Sequence, residues 1–150
     1  MKYTVELLGT FFLVAVVVGS GIMAENISGG NMGVALLGNT IPTGAILYVI
    51  IKMFAPISGG HFNPVVSFIF FLKKELSLLD LVKYIFVQMG GGIVAVFLVH
   101  YIFEISIFQV STNTRGEFPL LVSEIIATCG LILTILFIRK NDESSVAMGV

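Results

Sequence analysis

Charged residues are scarce in this sequence, and their scarcity excludes an ordinary soluble domain. Of the 150 residues, 11% are charged and 57% are hydrophobic, whereas a soluble domain carries about 25% charged residues. The net charge of −1 provides no excess of positive charge for binding nucleic acid. The single cysteine, Cys129, excludes an internal disulfide and a four-cysteine metal site. The composition is that of a membrane protein.

Four apolar stretches approach or exceed the roughly 20 residues that a helix needs to cross a bilayer. They are residues 7–24, 32–51, 84–103 and 118–138. An alternative for the first stretch is a signal peptide, although it lacks a clear small-x-small cleavage site. Pro42 within the second stretch predicts a kink. We expect an all-α membrane protein with four transmembrane helices.

The basic residues predict the orientation of these spans. Seven of the eight lie before the first span, between the second and third spans, or after the fourth: Lys2, Lys52, Lys73, Lys74, Lys83, Arg139 and Lys140. The two other connections hold only Arg115. Because positive residues are concentrated in cytoplasmic loops, we expect both termini on the cytoplasmic side.

The segment 56–74 contains a fifth apolar piece, residues 65–71, which is far too short to span the membrane. The charge count places both ends of this segment on the cytoplasmic side. The segment begins with Pro56, which we expect to end the second helix. Asn63 is a preferred N-cap and Pro64 suits the first helical position, so a helix should start at Pro64 and end near Lys73. Such a helix is about 14 Å long, half of a membrane. We therefore expect a loop that enters the membrane and a half-helix that returns; the alternative is an interfacial helix after a turn.

Irregular backbone at membrane depth requires a polar cavity or burial in protein. The carbonyl groups of Gly59, Gly60 and His61 are available to such a cavity. The half-helix also directs the positive end of its dipole towards the bilayer centre. This arrangement disfavours cations and suits neutral solutes that form hydrogen bonds.

We expect two acids, Glu6 and Glu124, to lie inside spans, and their sequence contexts match. Glu6-Leu-Leu-Gly-Thr corresponds to Glu124-Ile-Ile-Ala-Thr. Three spans separate the start of the first copy from the start of the second, so the copies enter the membrane from opposite faces. Inverted repeats of this kind are typical of transport proteins, whose short broken segments mark the substrate path. We expect a first repeat over 1–119 and the start of a second repeat, with one span, over 120–150.

These residues together resemble the aquaporins, the major intrinsic protein family. The segment Ile-Ser-Gly-Gly-His-Phe-Asn-Pro-Val resembles the first pore loop of that family, in which Asn-Pro-Ala is typical. Gln88 followed by Gly91, and the two Glu-containing motifs, agree in order and spacing. The resemblance covers essentially the whole chain and implies an inverted-repeat helical bundle. The family has six spans and two pore loops, whereas this sequence has four spans and one pore loop.

The resemblance also implies roles for individual residues. Asn63 would donate its amide to a permeating solute, beside Pro64 and Val65, while the carbonyls of Gly59, Gly60 and His61 would line the vestibule. Glu6 and Glu124 would be buried acids that hold the pore loops. Thr43 would stand in the selectivity filter, where water-selective members have Phe and glycerol channels have Trp.

The implied function is a passive channel for water or for small neutral solutes such as glycerol. The resemblance implies a homotetramer in the plasma membrane, with no cofactor and no resident metal. The smaller side chain of Thr43 favours a filter that is wider than a water-only one.

Two alternatives to a conducting channel remain, one from another class of function and one within the same family. A membrane enzyme such as a metalloprotease requires paired ligands, whereas His61 and His100 are isolated and have no acid at ligand spacing. The second alternative is a truncated form of the channel that conducts nothing, because one pore loop cannot close the pathway. A reading frame that continues past Val150 into a second Asn-Pro would favour a fragment of a longer channel.

The orientation is testable by cysteine accessibility in intact cells. In a variant without Cys129, a cysteine at residue 30 should react with an impermeant reagent added outside. A cysteine at residue 75 should react only after the membrane is opened. Labelling of residue 75 from outside, or of residue 30 from inside alone, would overturn this topology.

Overall fold

The structure is a computed structural model that describes residues 1–109, 116–142 and 145–150. The described residues form helices: α1 (Lys2–Ile27), α2 (Met32–Ser58), α3 (Pro64–Leu72), α4 (Leu78–Ile102), α5 (Phe118–Asn141) and α6 (Val146–Gly149). Arg115, which entered the charge count, lies outside the described residues.

Four of these helices are long and apolar enough to cross a membrane, which confirms the predicted helical membrane fold. α1, α2, α4 and α5 contain 26, 27, 25 and 24 residues. At 1.5 Å per residue, even α5 extends about 36 Å, more than the roughly 30 Å of a hydrocarbon core. Each of these helices is longer than its predicted apolar stretch.

The end of α2 differs from the prediction. Pro56 was expected to end this helix, but α2 continues through both Pro42 and Pro56 to Ser58. It ends where Gly59 adopts a left-handed conformation (φ 92°) and donates its N–H to the Ala55 carbonyl. A glycine in this conformation is a common helix terminator, whereas an internal proline can be tolerated within a transmembrane helix.

The half-helix is present, and its start agrees with the sequence. α3 begins at Pro64 and ends at Leu72, one residue before the predicted limit. Asn63 is its N-cap, with its side-chain oxygen accepting from the Val65 N–H at 2.8 Å. At nine residues, α3 reaches only about 14 Å, so it covers half of a bilayer.

The centre of the bundle is formed by α1, which packs against both α2 and α4. Glycines make these contacts close. A Cβ added to Gly91 would lie 2.4 Å from the Leu7 carbonyl oxygen, and one added to Gly38 would lie 2.8 Å from the Ala24 Cβ. Because lipid provides no hydrophobic driving force for the association of helices, helices in a membrane depend on such close contacts between their backbones.

Polar contacts join α1 and α4 at one end of the bundle. The Lys2 ammonium lies 2.9 Å from Asp80 Oδ1, to which the Tyr3 hydroxyl donates at 2.7 Å. Ser77 caps α4 by accepting from the Asp80 N–H at 3.0 Å. The start of α1 and the start of α4 therefore lie at the same end.

α5 packs differently from the other long helices. None of its described residues is buried, whereas α6 contacts both α2 and α5. The Arg139 guanidinium near the end of α5 contacts the Glu75 carboxylate, just after α3. The ends of α3 and α5 are thus adjacent.

The close approach of α1 and α4 gives a matched pair of substitutions. Gly91→Ala should destabilise the bundle by about 1–3 kcal/mol, because its methyl group would collide with the Leu7 carbonyl. Gly90→Ala adds the same group to the same helix where no atom lies within 4 Å, so it should change stability by less than about 1 kcal/mol. Equilibrium unfolding in mixed detergent micelles measures both; equal stability of the two variants would contradict the close contact.

Candidate functional site

The site is centred on the irregular segment 59–63 between α2 and α3, which we call the re-entrant loop. Three of its residues have positive φ: Gly59 (92°), Gly60 (64°) and Phe62 (47°). At Gly60 the space is also limited, since an added Cβ would lie 3.0 Å from the Ala55 Cβ. The loop therefore requires glycine at two positions and holds one phenylalanine in a conformation that side chains rarely adopt.

Phe62 is fixed on both its backbone and its ring. Its N–H donates to Glu6 Oε2 at 2.7 Å. Its ring lies against α1 at Gly9, where an added Cβ would come within 2.3 Å of a ring carbon. Only 3% of Phe62 is exposed, and this burial offsets the backbone strain.

Glu6 is the acceptor that organises the loop. It is fully buried and takes hydrogen bonds from four donors. Oε1 accepts from the Ser58 hydroxyl at 2.6 Å and the His61 N–H at 3.0 Å. Oε2 accepts from the Phe62 N–H and from the Gln88 side-chain amide at 2.9 Å. A single carboxylate on α1 thus binds the end of α2, the re-entrant loop and α4.

A second layer of polar contacts comes from α4. The Tyr84 hydroxyl donates to the Ser58 carbonyl at 2.7 Å. The Gln88 amide nitrogen also donates to the Ser67 hydroxyl at 3.0 Å. That hydroxyl lies 3.1 Å from His61 Nδ1. Among the described residues, the Gln88 side-chain oxygen is the buried polar side-chain atom without a partner.

The His61 ring is enclosed by aromatic groups and belongs to this layer. It stacks on Phe70 at a centroid distance of 4.7 Å and meets the edge of Tyr84 at 5.3 Å. The side chain is buried, at 8% exposure. The ring therefore packs within the protein, which leaves the main chain of residue 61 as the group that can face a solute.

A cavity of about 720 Å³ lies beside the re-entrant loop. Gly59, Gly60 and His61 line it. Residues from α2, α3, α5 and α6 complete the lining, among them Lys52, Val66, Arg139 and Ala147. The structure therefore brings the three loop residues to one cavity, whose lining is both polar and apolar.

The other predicted pore residues lie apart from this lining. Asn63 is half-buried, while Pro64 and Val65 are exposed at the start of α3. The Asn63 side-chain oxygen is engaged in capping the helix. Its amide N–H groups remain the polar groups that this side chain can offer to a solute.

Thr43 lies half-buried in the first half of α2 and belongs to a small polar cluster. Its hydroxyl donates to the Asn39 carbonyl at 2.8 Å. The Asn39 side-chain oxygen accepts from the Ser20 hydroxyl of α1 at 3.0 Å. The Thr43 hydroxyl has one proton, which it donates to the Asn39 carbonyl. The lone pairs of its oxygen therefore remain to accept a hydrogen bond from another group.

Glu124 is a correction to the expected pair of buried acids. It is exposed on α5, a helix with no buried described residue. No hydrogen-bond donor among the described residues contacts its carboxylate, whereas four donors contact Glu6. The shared motif therefore does not give the two acids the same environment in this chain.

Sequence reasoning missed the residues that complete the Glu6 network. Ser58, Ser67 and Tyr84 carry no motif of their own, and Gln88 was noted only as part of a resemblance. The available signal was the placement of Tyr84 and Gln88 four residues apart inside an apolar span, since intramembrane polar residues tend to face the bundle interior. The described residues contain no group of three or more His, Cys, Asp or Glu side chains that could hold a metal.

Comparison with known proteins gives a consistent set of relatives. Residues 1–149 match the family described as major intrinsic protein. The chain is 43% identical to the aquaglyceroporin AqpS of Rhizobium meliloti (strain 1021), over 93% of this chain and 60% of that protein. It is 35% identical to a probable TIP-type aquaporin of Medicago truncatula, over 87% of this chain and 53% of the relative.

A third relative extends the same pattern. The probable aquaporin TIP2-2 of Oryza sativa subsp. japonica is 33% identical, over 89% of this chain and 54% of its own length. The chain thus spans a little more than half the length of these relatives.

The Glu6 network predicts a graded response to substitution. Glu6→Gln keeps one acceptor oxygen but turns an amide group towards donors, so it should destabilise the protein by about 2–4 kcal/mol. Glu6→Leu removes all four acceptor contacts and should be worse. Glu124→Gln makes the same change at an exposed acid and should stay within about 0.5 kcal/mol.

Unfolding in mixed detergent micelles provides the measurement for all three variants. If Glu6→Gln were as neutral as Glu124→Gln, the carboxylate would have no role in holding the re-entrant loop.

Proposed function

Because the chain belongs to the major intrinsic protein family, we propose that it forms, or forms part of, a passive transmembrane channel for water and small neutral solutes such as glycerol. The observation that carries this proposal is the re-entrant loop beside a cavity of about 720 Å³. Glu6 holds this irregular backbone in place, so its carbonyls can replace part of the hydration of a solute. The relatives are named as aquaporins and an aquaglyceroporin, and we propose no catalytic activity.

The charges around the cavity support a neutral solute. α3 begins at Pro64, and the positive end of its dipole lies there, directly after the re-entrant loop. Lys52 and Arg139 add positive charge to the lining, with Glu75 as the acidic member. Cations are therefore disfavoured, while a neutral molecule can exchange hydrogen bonds with the loop.

We assign the role of a filter residue to Thr43. Its hydroxyl donates to the Asn39 carbonyl, so it offers an acceptor to the donors of a passing solute. The side chain also occupies far less space than a phenylalanine ring would. Both features favour a filter that admits glycerol-sized molecules, in agreement with the name of the aquaglyceroporin relative.

We further propose that both termini of the chain are cytoplasmic, that the membrane is the plasma membrane and that the assembly is a homotetramer. The charge count assigns both termini and the connection between the second and third predicted spans to one side of the membrane. The ion pairs Lys2–Asp80 and Arg139–Glu75 support this assignment, because each joins a residue near the end of an outer span to a residue of that connection. The repeat boundaries of 1–119 and 120–150 belong to the same proposal. In it, Asn63, Pro64 and Val65 line the pore with the loop carbonyls.

A non-conducting protein is the second candidate. Its support is that no described residue of α5 is buried, because a helix that closes a channel wall is expected to bury one face against its neighbours. Flux measurements separate the two candidates directly.

The filter proposal predicts the effect of one substitution on selectivity. Thr43→Phe should lower glycerol permeability several-fold more than water permeability, because the ring narrows the opening. Both fluxes can be measured by stopped-flow light scattering on proteoliposomes that contain the full-length protein. Thr40→Phe places the same ring on an exposed face of α2 and should leave the ratio unchanged.

Two outcomes would contradict this proposal. If the parent protein passes water but no glycerol, or if Thr43→Phe behaves like Thr40→Phe, Thr43 does not set the width of the filter. Absence of any flux above lipid background would favour the non-conducting candidate.

A further inference from the structure

A second cavity, of about 610 Å³, lies between the ends of α3 and α5. One half of its lining is charged and the other half is apolar. The charged residues are Lys73, Glu75, Arg139 and Lys140, and the apolar ones are Leu133, Leu136 and Phe137. We call this cavity the basic pocket. Glu75 and Arg139 also line the cavity beside the re-entrant loop, whereas the other five residues do not.

The charges of the basic pocket do not cancel. Glu75 is its single carboxylate, and both carboxylate oxygens are occupied: Oε1 by the Lys73 ammonium at 2.9 Å and Oε2 by Arg139. The hydrogen bond from Lys73, with a further contribution from Arg139, holds the pKa of Glu75 below its usual range. Among the described residues that line the pocket, one anion therefore faces three cations, and the charges of these residues sum to +2.

Two of the cations are held in place against the Phe70 ring. The Lys73 ammonium lies 5.7 Å from the centre of the Phe70 ring, and the Arg139 guanidinium carbon lies 4.8 Å from it. An ammonium has three donors, and Glu75 takes one of those of Lys73. Lys140 is exposed and forms no ion pair with another described residue.

The apolar half continues from these cations along α5. Leu133 and Phe137 are four residues apart and share a face of the helix. They are 52% and 64% exposed. Both precede Arg139 in the helix, so they lie on the side of the charges that points towards the bilayer centre. Positive charge at the membrane boundary above an exposed apolar strip is complementary to an amphiphilic anion.

We propose that the basic pocket binds an anionic phospholipid, with the phosphate group at Lys73 and Lys140 and an acyl chain along Leu133 and Phe137. A free phosphate ion would satisfy the cations but leave the apolar strip uncovered, whereas a zwitterionic lipid would leave the net charge uncompensated. Basic pockets between helices on the cytoplasmic side are suited to anionic headgroups. The assignment to the cytoplasmic leaflet rests on the proposed topology; the binding site itself does not.

Native mass spectrometry of the purified 150-residue chain in detergent tests this proposal without any measurement of flux. Phosphatidylglycerol should bind more tightly than phosphatidylcholine of the same acyl chains. The double variant Lys73→Gln/Lys140→Gln should weaken phosphatidylglycerol binding by about fivefold or more, given the attraction of each lysine to an anionic lipid. It should leave phosphatidylcholine binding unchanged.

The control is Lys74→Gln/Lys83→Gln, which removes the same charge from exposed positions of the same region outside the pocket. It should retain parental affinity. Leu133→Ala/Phe137→Ala should also weaken phosphatidylglycerol binding, because it removes the acyl contact. Equal elution from a sizing column and equal helical circular dichroism would show that all variants fold alike.

Three results would overturn the proposal. The first is equal affinity for the two lipids, and the second is equal loss of binding in the pocket and control variants. The third is displacement of the lipid by inorganic phosphate at equal concentration, which would identify a simple anion site. None of these results bears on whether the chain conducts.

Discussion

The structure depends on one carboxylate that satisfies an irregular backbone inside a membrane. Each unsatisfied polar group in hydrocarbon costs several kcal/mol, and the re-entrant loop presents its N–H groups where water is scarce. Glu6 accepts from two of those N–H groups, at His61 and Phe62, and from two side chains besides. Without these acceptor contacts, the unsatisfied N–H groups would make this depth unfavourable for the loop. The loop would then no longer line the cavity beside it.

The close packing of the helices follows from the same requirement. Glu6 reaches the loop and Gln88 together only if α1 lies against both. Glycines on the two helices permit this approach: Gly9 makes room for the Phe62 ring, and Gly91 makes room for the main chain of α1 at Leu7. These glycines therefore set the distance at which the Glu6 network can form.

Local features of the fold could be predicted from the sequence, while the contacts between distant segments could not. Asn63 and Pro64 encode the start of α3 through capping and backbone preference, which act within a few residues. The roles of Tyr84 and Ser67 depend on which helices become neighbours, and no local pattern records that. Pro56 shows the limit even for local rules, because α2 continues through it and ends at Gly59 instead.

Glu6 and Glu124 show why a repeated motif does not ensure a repeated environment. Both acids precede a small residue and a threonine at the same spacing, and in the first copy Thr10 donates to the carbonyl of Glu6 itself at 2.8 Å. The donors that bind the Glu6 carboxylate, however, come from 52 to 82 positions further along the chain. No described residue supplies equivalent donors to Glu124, so its carboxylate is exposed on α5. The motif makes an acid available within a helix, and the partners that the fold brings to it decide whether that acid can be buried.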